Sequence, residues 1–286
     1  MSSELDDFLQ AALAEDLDEH GDLTSLSTIP ADARATAHLV AREPGCIAGL
    51  GAALRVFELV DDDVAVAAAV SDGDAVRAGD LLATVEGPAR SILAAERLAL
   101  NLLGQLSGVA TATRALVDEV DGTDATIIDT RKTVPLLRSL QKAAVVAGGG
   151  RNHRMGLYDQ VLIKDNHIEA VGSAAEAVRR ARDFLGEHHP DEGIQVEVEI
   201  ESLADLELVI EAGADIVMLD NMPPDEMRQA VEMARGRVLL EASGGITLET
   251  VRSVAESGVD LISVGWLTHS APSLDVALDF AAGTSR

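Results

Sequence analysis

Positive charge is concentrated in one short stretch of an otherwise acidic chain. The 286-residue sequence has a formal net charge of -27, yet residues 131–167 hold seven lysines and arginines against two acids. All three lysines of the chain, Lys132, Lys142 and Lys164, lie in this stretch. Lysine and arginine bind carboxylate and phosphate groups through charge-assisted hydrogen bonds. The stretch therefore predicts an anion-binding site, and the alternative is a solvated charged face.

Polar residues end nearly every predicted strand in the second half of the chain. They are Asp129 (followed by Arg131 and Lys132), Lys164, Glu199, Asp220, Glu241 and Gly265. In an α/β barrel these ends converge on the face that carries the active site. Cations there, with His153 and Arg154 from a loop, suit an anionic substrate. Glu199 and Asp220 suit a polyhydroxylated partner or a Mg²⁺ that carries a diphosphate, or they are members of structural salt bridges.

Glycines follow the last two of these strands. Ser243, Gly244 and Gly245 precede a predicted helix, and Gly265 follows the next strand. Glycine lets backbone N–H groups approach an oxyanion at a helix N-terminus, and the late loops of α/β barrels often hold a phosphate. The positions therefore indicate a phosphate site, with ordinary turn glycines as the alternative.

The elements that position these residues alternate from residue 126 onward. Strands are predicted at 126–129, 161–164, 195–199, 216–220, 238–241 and 261–265, and helices at 174–185, 203–212, 225–234 and 248–257. Repeated βα units with buried strands predict a parallel sheet covered by helices. No Gly-x-Gly-x-x-Gly turn follows a first strand, so a barrel is favoured over a dinucleotide-binding open sheet.

The first part of the chain is predicted to mix helices and strands. The pattern predicts a helix at 5–17, strands at 35–42 and 64–70, hairpin turns within 70–87 and a long helix at 90–120. Gly104 and Gly108 are candidate breaks or kinks in that long helix. Arg97 lies among leucines of the same helix, which predicts a buried arginine that meets an anion, or one that reaches solvent or pairs with Glu96.

Composition excludes several classes of protein. A net charge of -27 argues against nucleic acid or an anionic membrane as a partner, and no apolar run reaches the length of a membrane span. The start of the chain lacks the pattern of a signal peptide. Cys46 is the single cysteine and forms no internal disulfide, so a cytoplasmic location is expected. Abundant acid with only three lysines predicts a halophilic protein, or simply an acidic cytosolic one.

Taken together, the motifs resemble those of the quinolinate phosphoribosyltransferases. The matching runs are 129–133, 148–154, 163–167, 196–199, 219–221 and 241–246, with earlier matches at 14–22, 96–101 and 107–108. The resemblance covers essentially the whole chain. It implies an N-terminal α/β sandwich domain over 1–110 and an incomplete TIM-like α/β barrel over 111–286, with the tail 270–286 packing back on the first domain. It also implies a homodimer or a dimer-based hexamer.

The resemblance implies an activity and a set of site residues. Phosphoribosyl would pass from phosphoribosyl pyrophosphate to quinolinate with loss of carbon dioxide, in NAD biosynthesis and with Mg²⁺ as cofactor. Quinolinate would be held by Arg131, His153, Arg154, Lys164 and Arg97 of the partner subunit. Phosphoribosyl pyrophosphate would be held by Lys132, Glu199, Asp220, Ser243, Gly244, Gly245 and Gly265. The implied catalytic residues are Lys132, Lys164, Glu199 and Asp220, and the implied Mg²⁺ ligands are Glu199 and Asp220.

Two departures from the family pattern lie near the basic segment. Leu136 follows Pro135 where the family has glycine, and Ala143 follows Lys142 where it has tyrosine. Two other functions remain open: a related phosphoribosyltransferase or phosphorylase acting on another acidic heterocycle, and a non-catalytic anion-binding protein on the same scaffold. The cation cluster is large for one carboxylate, which favours quinolinate. A binding protein would have no need of the opposed pair Glu199 and Asp220.

Overall fold

The computed structural model describes residues 3–281, which form two compact units. One unit contains the residues up to Ala112, together with Val146–Gly149 and the segment from Ala271. The other contains Thr113–Val145 and Gly150–Ser270. Residues 282–286 of the predicted C-terminal tail lie outside the described part of the chain.

Helices and strands of both units follow one another closely along the chain. In chain order they are α1 (Ser3–Leu17), α2 (Leu23–Thr28), β1 (Arg34–Ala41), β2 (Gly45–Cys46), α3 (Leu50–Val60), β3 (Ala65–Ala68), β4 (Ala75–Val76), β5 (Leu81–Pro88), α4 (Ala89–Glu119), β6 (Thr126–Ile128), α5 (Arg138–Ala147), β7 (Val161–Ile163), α6 (Asp165–Val171), α7 (Ala174–His188), β8 (Val196–Ile200), α8 (Leu206–Glu211), β9 (Ile216–Asp220), α9 (Pro224–Ala234), β10 (Leu239–Ser243), α10 (Leu248–Ala255), β11 (Leu261–Ser263), α11 (Trp266–His269) and β12 (Val276–Phe280). A 3-10 turn at Leu203–Asp205 precedes α8.

An antiparallel sheet organises the first unit. Its strand order is β12-β1-β5-β3, and β2 and β4 form a separate pair. Strand β1 alternates buried and more exposed residues, with Ala37 and Leu39 fully buried. This period of two marks a strand with one face on a core and the other toward solvent.

The long helix α4 is continuous through both of its glycines, so the predicted break is wrong. A Cβ on Gly108 would lie 2.0 Å from the carbonyl oxygen of Pro272, and one on Gly104 would lie 3.0 Å from that of Leu274. The segment that leads into β12 therefore passes close to the helix at both positions. Glycine is needed there for close backbone approach.

A six-stranded parallel sheet organises the second unit and confirms the predicted strand–helix alternation. Its order is β6-β11-β10-β9-β8-β7, which leaves β6 and β7 as the two edges. All five residues of β8 are buried, as are four of the five in β9. Burial on both faces is typical of parallel strands that are covered by helices. Helices α5 and α6, which the sequence pattern did not predict, follow β6 and β7.

Within the described residues, no helix combines the length and the apolar character needed to cross a bilayer.

Candidate active site

A cavity opens at the carboxyl ends of the parallel strands. It encloses about 260 Å³ and is lined by Thr130, Arg131, Lys132, His153, Arg154, Leu162, Lys164, Met218, Glu241, Ser243 and Ser263. The first three residues follow β6 and Lys164 follows β7, so both edges of the sheet contribute to one cavity. The sheet must therefore curl on itself, which is the geometry of an incomplete α/β barrel.

The pairing register explains why these side chains share the interior. Residues that pair across parallel strands point to the same face of the sheet. Met218 pairs with Glu199 on one side and with Glu241 on the other. Leu162 pairs with Glu197. Glu197, Glu199 and Glu241 therefore belong to the inward-facing set with Met218.

Two arginines give the cavity its positive charge. Arg154 donates from Nη1 to the carbonyl of Gln160 at 3.1 Å, which fixes the direction of its side chain. Burial lowers the pKa of Arg154, and the charge of the nearby Arg131 lowers it further. The Nε of Arg131 is buried and has no hydrogen-bond partner. Two close guanidinium groups with unused donors favour an anion between them.

The two lysines of the cavity differ in their surroundings. Lys164 is half-exposed and its Nζ lies 2.6 Å from Oε2 of Glu199, which is nearly buried. Lys132 is exposed, and its side chain passes close to Gly265, where a Cβ would lie 2.8 Å from its Cδ. Gly265 therefore leaves room for the Lys132 side chain across the mouth.

The third lysine is not part of the cavity wall, contrary to the anion-binding interpretation of the whole basic stretch. Lys142 is fully buried on α5, where its Nζ contacts Oδ1 of Asp129. The same ammonium donates to the carbonyl of His153 at 2.8 Å, and the N–H of His153 donates to Asp129 at 2.9 Å. Lys142 and Asp129 therefore hold the backbone that carries His153 and Arg154.

His153 presents its ring to carboxyl groups. Its Nδ1 accepts from the backbone N–H of Arg154 at 2.6 Å, so the ring proton of the neutral form lies on Nε2. That Nε2 lies 3.1 Å from Oε2 of Glu197 and 3.7 Å from Oε2 of Glu241. Burial lowers the pKa of His153. Both ring nitrogens are thus engaged, so the ring positions Arg154 and is not a free cation.

Glu197 and Glu241 form a buried carboxyl pair that the predicted site residues did not include. Glu197 accepts from Nε2 of Gln160 at 2.7 Å, and both oxygens of Glu241 are buried without a hydrogen-bond partner. Burial raises the pKa of Glu197 to about 7. Burial and the adjacent Glu197 raise that of Glu241 to about 8. The signals that could have revealed the pair were the position of Glu241 at a strand end and the spacing of Glu197, two residues before Glu199 and therefore on the same face of its strand.

Loops after β9 and β10 bring the remaining predicted residues together. Asn221 donates from its backbone to the carbonyl of Ser243 at 2.9 Å and from its side chain to Asp220 at 2.7 Å. Gly244 has φ +98°, and a Cβ there would lie 2.2 Å from the side chain of Asn221. Gly245 also has positive φ, at +60°. Glycine is therefore required at Gly244 both by its conformation and by the packing of the two loops.

Two further residues that the sequence singled out are exposed. Arg97 is exposed on α4, which agrees with the alternative that it reaches solvent rather than being buried among the leucines of its own chain. Leu136 is 88 % exposed and has φ +65°, in the left-handed region that favours glycine. The departure from the family's glycine thus falls on a position whose backbone conformation still suits glycine.

Comparisons with known proteins agree with this geometry. The family models "Quinolinate phosphoribosyl transferase, N-terminal domain" and "Quinolinate phosphoribosyl transferase, C-terminal domain" match residues 22–107 and 109–279. The nicotinate-nucleotide pyrophosphorylase [carboxylating] of Mycobacterium leprae is 46 % identical over 278 residues, covering 96 % of each chain. A probable nicotinate-nucleotide pyrophosphorylase [carboxylating] of Bacillus subtilis is 46 % identical over 259 residues, covering 91 % of this chain and 88 % of the other.

Solved structures show the same architecture. The nicotinate-nucleotide pyrophosphorylase from Francisella tularensis superposes with a TM-score of 0.91 at 39 % identity, covering 97 % of this chain and 96 % of that one. Human nicotinic acid phosphoribosyltransferase has a TM-score of 0.65 at 17 % identity, covering 96 % of this chain and 74 % of that one, and shares the fold alone. Two family models cover nearly the whole chain and close relatives match end to end, so this chain belongs to the quinolinate phosphoribosyltransferase family.

Proposed function

We propose that this protein transfers the phosphoribosyl group of phosphoribosyl pyrophosphate to quinolinate, with release of carbon dioxide and pyrophosphate and formation of nicotinate mononucleotide. The observation that carries this is the cavity itself, where two arginines and two lysines face one space of about 260 Å³. Quinolinate is a dianion, and its second carboxylate needs more cationic donors than a monocarboxylate does. The names of the relatives support the same chemistry.

The cavity suggests a division of labour among its cations. Arg131 and Arg154 offer guanidinium donors deep enough to pair bidentately with a carboxylate. Lys164 reaches the same space while it is ion-paired with Glu199. It can therefore exchange that carboxylate for a substrate anion. Lys132, exposed at the mouth, suits the pyrophosphate. His153 holds Arg154 through its Nδ1 and acts as a positioning residue.

The remaining predicted residues suit the phosphoribosyl part. Glu199, once Lys164 moves to the substrate, has carboxylate oxygens free to accept from ribose hydroxyls and to stabilise the electron-poor ribosyl centre. Ser243 lines the cavity, and Gly244, Gly245 and Gly265 lie in the loops after β10 and β11, where barrels commonly bind phosphate. Asp220 lies in the chain between Glu199 and Ser243, and its side chain is half-exposed.

Mg²⁺ fits one of the two predicted carboxylates. Glu199 is nearly buried and its Oε2 is ion-paired with the Lys164 ammonium at 2.6 Å, so Asp220 is the more accessible of the two carboxylates. Asp220 accepts a hydrogen bond from the side-chain amide of Asn221 and is half-exposed, so it stays reachable from solvent. Mg²⁺ commonly binds one carboxylate plus substrate phosphates and waters. Asp220 would hold such a cation, which neutralises charge on the leaving pyrophosphate.

We further propose a homodimer in which Arg97 serves the partner's site. Arg97 is exposed on α4 and has no ion pair within residues 3–281, so it is available to an anion outside its own chain. The test is complementation. Arg97→Ala and Lys164→Ala enzymes should each be nearly inactive, and co-refolded heterodimers should regain a substantial fraction of activity because one site carries neither change. Heterodimers that stay inactive would show that Arg97 acts within its own chain or not at all.

We also propose that the protein works in the cytoplasm at high salt concentration. The lone Cys46 is buried, as expected of a thiol that has no disulfide role. A net charge of -27 with only three lysines suits a protein whose self-repulsion is screened by concentrated salt.

One assay separates the proposed reaction from the two alternatives. The purified protein is incubated with phosphoribosyl pyrophosphate, Mg²⁺ and either quinolinate or nicotinate, and pyrophosphate and carbon dioxide are measured. Product from quinolinate with equal carbon dioxide is expected. Turnover only with nicotinate would indicate another acidic heterocycle, and tight binding without turnover would indicate a binding protein.

Lys164→Ala tests the site within the same assay. The variant should lose roughly 100-fold or more in rate, corresponding to about 3 kcal/mol of transition-state stabilisation. Arg228→Ala, which removes an exposed cation that is ion-paired with Asp225 on α9, is the matched control and should keep its activity. A folded Lys164→Ala enzyme with near-native turnover would show that Lys164 does not act in the active site.

A further inference from the structure

Decarboxylation in the proposed reaction requires a proton donor, and the cationic residues of the cavity are not suited to that role. Quinolinate carries carboxylates at C2 and C3 of the pyridine ring, and nicotinate mononucleotide carries hydrogen at C2. Loss of carbon dioxide beside the ribosylated ring nitrogen leaves an electron pair on C2. That carbon must then receive one proton inside the cavity.

Glu241 is the cavity residue whose surroundings suit a proton donor. It lies on β10 with an almost fully buried side chain, yet it is part of the cavity lining. Within residues 3–281 neither of its oxygens has a hydrogen-bond partner in good geometry. The hydroxyl of Ser263 on β11 is close enough to lower the pKa of Glu241 but donates to the carbonyl of Ala242 at 3.4 Å. A buried carboxylate without partners is costly, whereas the neutral acid is much less so.

A second carboxyl group beside Glu241 strengthens this preference. Glu197, Glu241 and His153 offer donor or acceptor atoms that all lie within 4.8 Å of one another. Two carboxyl groups this close in a buried site cannot both ionise without strong repulsion. His153 does not neutralise them with a positive charge, since its Nδ1 accepts from a backbone N–H. Burial raises the pKa of both carboxyl groups, and the neighbouring Glu197 raises that of Glu241 further.

Other cavity groups are engaged differently. Lys164 is ion-paired with Glu199, and Lys132 is exposed at the mouth. Arginine does not give up a proton in proteins. Glu197 accepts from Gln160 and lies 3.1 Å from Nε2 of His153, whereas Glu241 lies 3.7 Å from that nitrogen and lines the cavity. The carboxyl group with fewer donors around it is therefore the one that reaches the substrate space.

We propose that Glu241, as the carboxylic acid, protonates C2 of the pyridine ring after the carboxylate departs, with Glu197 as the partner that keeps it protonated. This rests on the proposed function. The bond between C2 and the carboxylate carbon breaks, carbon dioxide leaves and the electron pair stays on C2. C2 takes the proton of the Glu241 hydroxyl, whose bonding electrons remain on the carboxylate. Water restores the proton when product leaves.

The test separates phosphoribosyl transfer from protonation in a single turnover. Glu241→Gln keeps the shape of the side chain and removes the acid. In rapid-quench experiments with enzyme in excess, the variant should form pyrophosphate within about threefold of the wild-type rate. Nicotinate mononucleotide should form at least about 100-fold more slowly, the usual size of a general-acid effect. Quinolinate mononucleotide should accumulate in the interval.

Each other outcome overturns the assignment. Equal slowing of pyrophosphate and nucleotide, or a raised KM for quinolinate at unchanged kcat, would mean that Glu241 only supports the binding site. Normal formation of both products would mean that the proton comes from elsewhere. Wild-type enzyme that forms neither product would contradict the proposed function instead, and this is established before the variant is measured.

Two further variants serve as a substitute and as a control. Glu241→Met also removes the acid and is the substitute if the amide variant does not fold, because apolar replacement of buried ionisable groups is commonly tolerated. It should show the same separation of the two products. Glu232→Gln changes an exposed glutamate of α9 and is the matched control, with both products at wild-type rates.

Discussion

Replacement of Lys142 by methionine tests how the loop that carries His153 is held. The Lys142 ammonium contacts Asp129 and donates to the carbonyl of His153, and both side chains are fully buried. Methionine preserves most of the volume but leaves Asp129 buried without its counter-ion. Breaking a buried pair from one side costs about 3–5 kcal/mol. At about 2–4 °C per kcal/mol for a chain of this size, the thermal midpoint should fall by roughly 6–20 °C.

Denaturant unfolding followed by circular dichroism measures this loss, and a second substitution checks its cause. Lys142→Met with Asp129→Asn should recover at least half of the lost free energy of unfolding, since the uncompensated charge is then gone while an oxygen still accepts from His153. Burial already raises the pKa of Asp129. Without Lys142 that pKa should rise further, so the single variant should regain stability as the pH falls. A loss below about 1 kcal/mol, or no recovery in the double variant, would contradict this account.

Further predictions concern the turn at Leu136, the mouth, the carboxyl pair and salt. Leu136→Gly should raise the free energy of unfolding by about 1 kcal/mol in denaturant titrations, because φ +65° is strained for leucine; an unchanged or lower value would refute this. Gly265→Ala should keep the fold but raise the KM for phosphoribosyl pyrophosphate, because the added methyl group displaces the Lys132 side chain. An unchanged KM would show that Lys132 does not bind this substrate. Because the pKa of Glu241 is raised from 4.5 to about 8, the wild-type protein should lose stability as the pH rises through that range. Its thermal midpoint should therefore fall relative to that of Glu241→Gln between about pH 5 and pH 8.5. Parallel curves for the two proteins would contradict the raised pKa. The midpoint should also rise between tens of millimolar and molar KCl, and a flat response would refute adaptation to salt.

Local pattern was sufficient for the architecture of the second unit. Buried apolar runs separated by helical periodicity predicted all six parallel strands to within about two residues, because buried strands need continuous apolar character. Polar residues at the strand ends likewise predicted the cavity, since the carboxyl ends of parallel strands share one edge. Helices α5 and α6 escaped prediction because α5 buries polar Gln141 and Lys142 beside two apolar residues, and α6 is a short helix with no buried residues.

Charge sign predicted which residues could bind an anion, but not which of them face the cavity. Lys132, Lys142 and Lys164 are equivalent in the sequence, yet one is exposed, one is sealed against Asp129 and one is paired with Glu199. The difference arises from the side of the strand or helix on which each residue lies and from what packs against it.

The chain alone therefore determined the fold class, the family and the edge of the sheet at which the chemistry occurs. Only the tertiary structure decided the exposure of Arg97, the tautomer of His153 and the pairing of Glu197 with Glu241. Glu197 and Glu241 are 44 positions apart and meet because their strands curl around one interior. Proton affinity depends on desolvation and on neighbouring charges, and these are properties of that interior rather than of any segment of sequence.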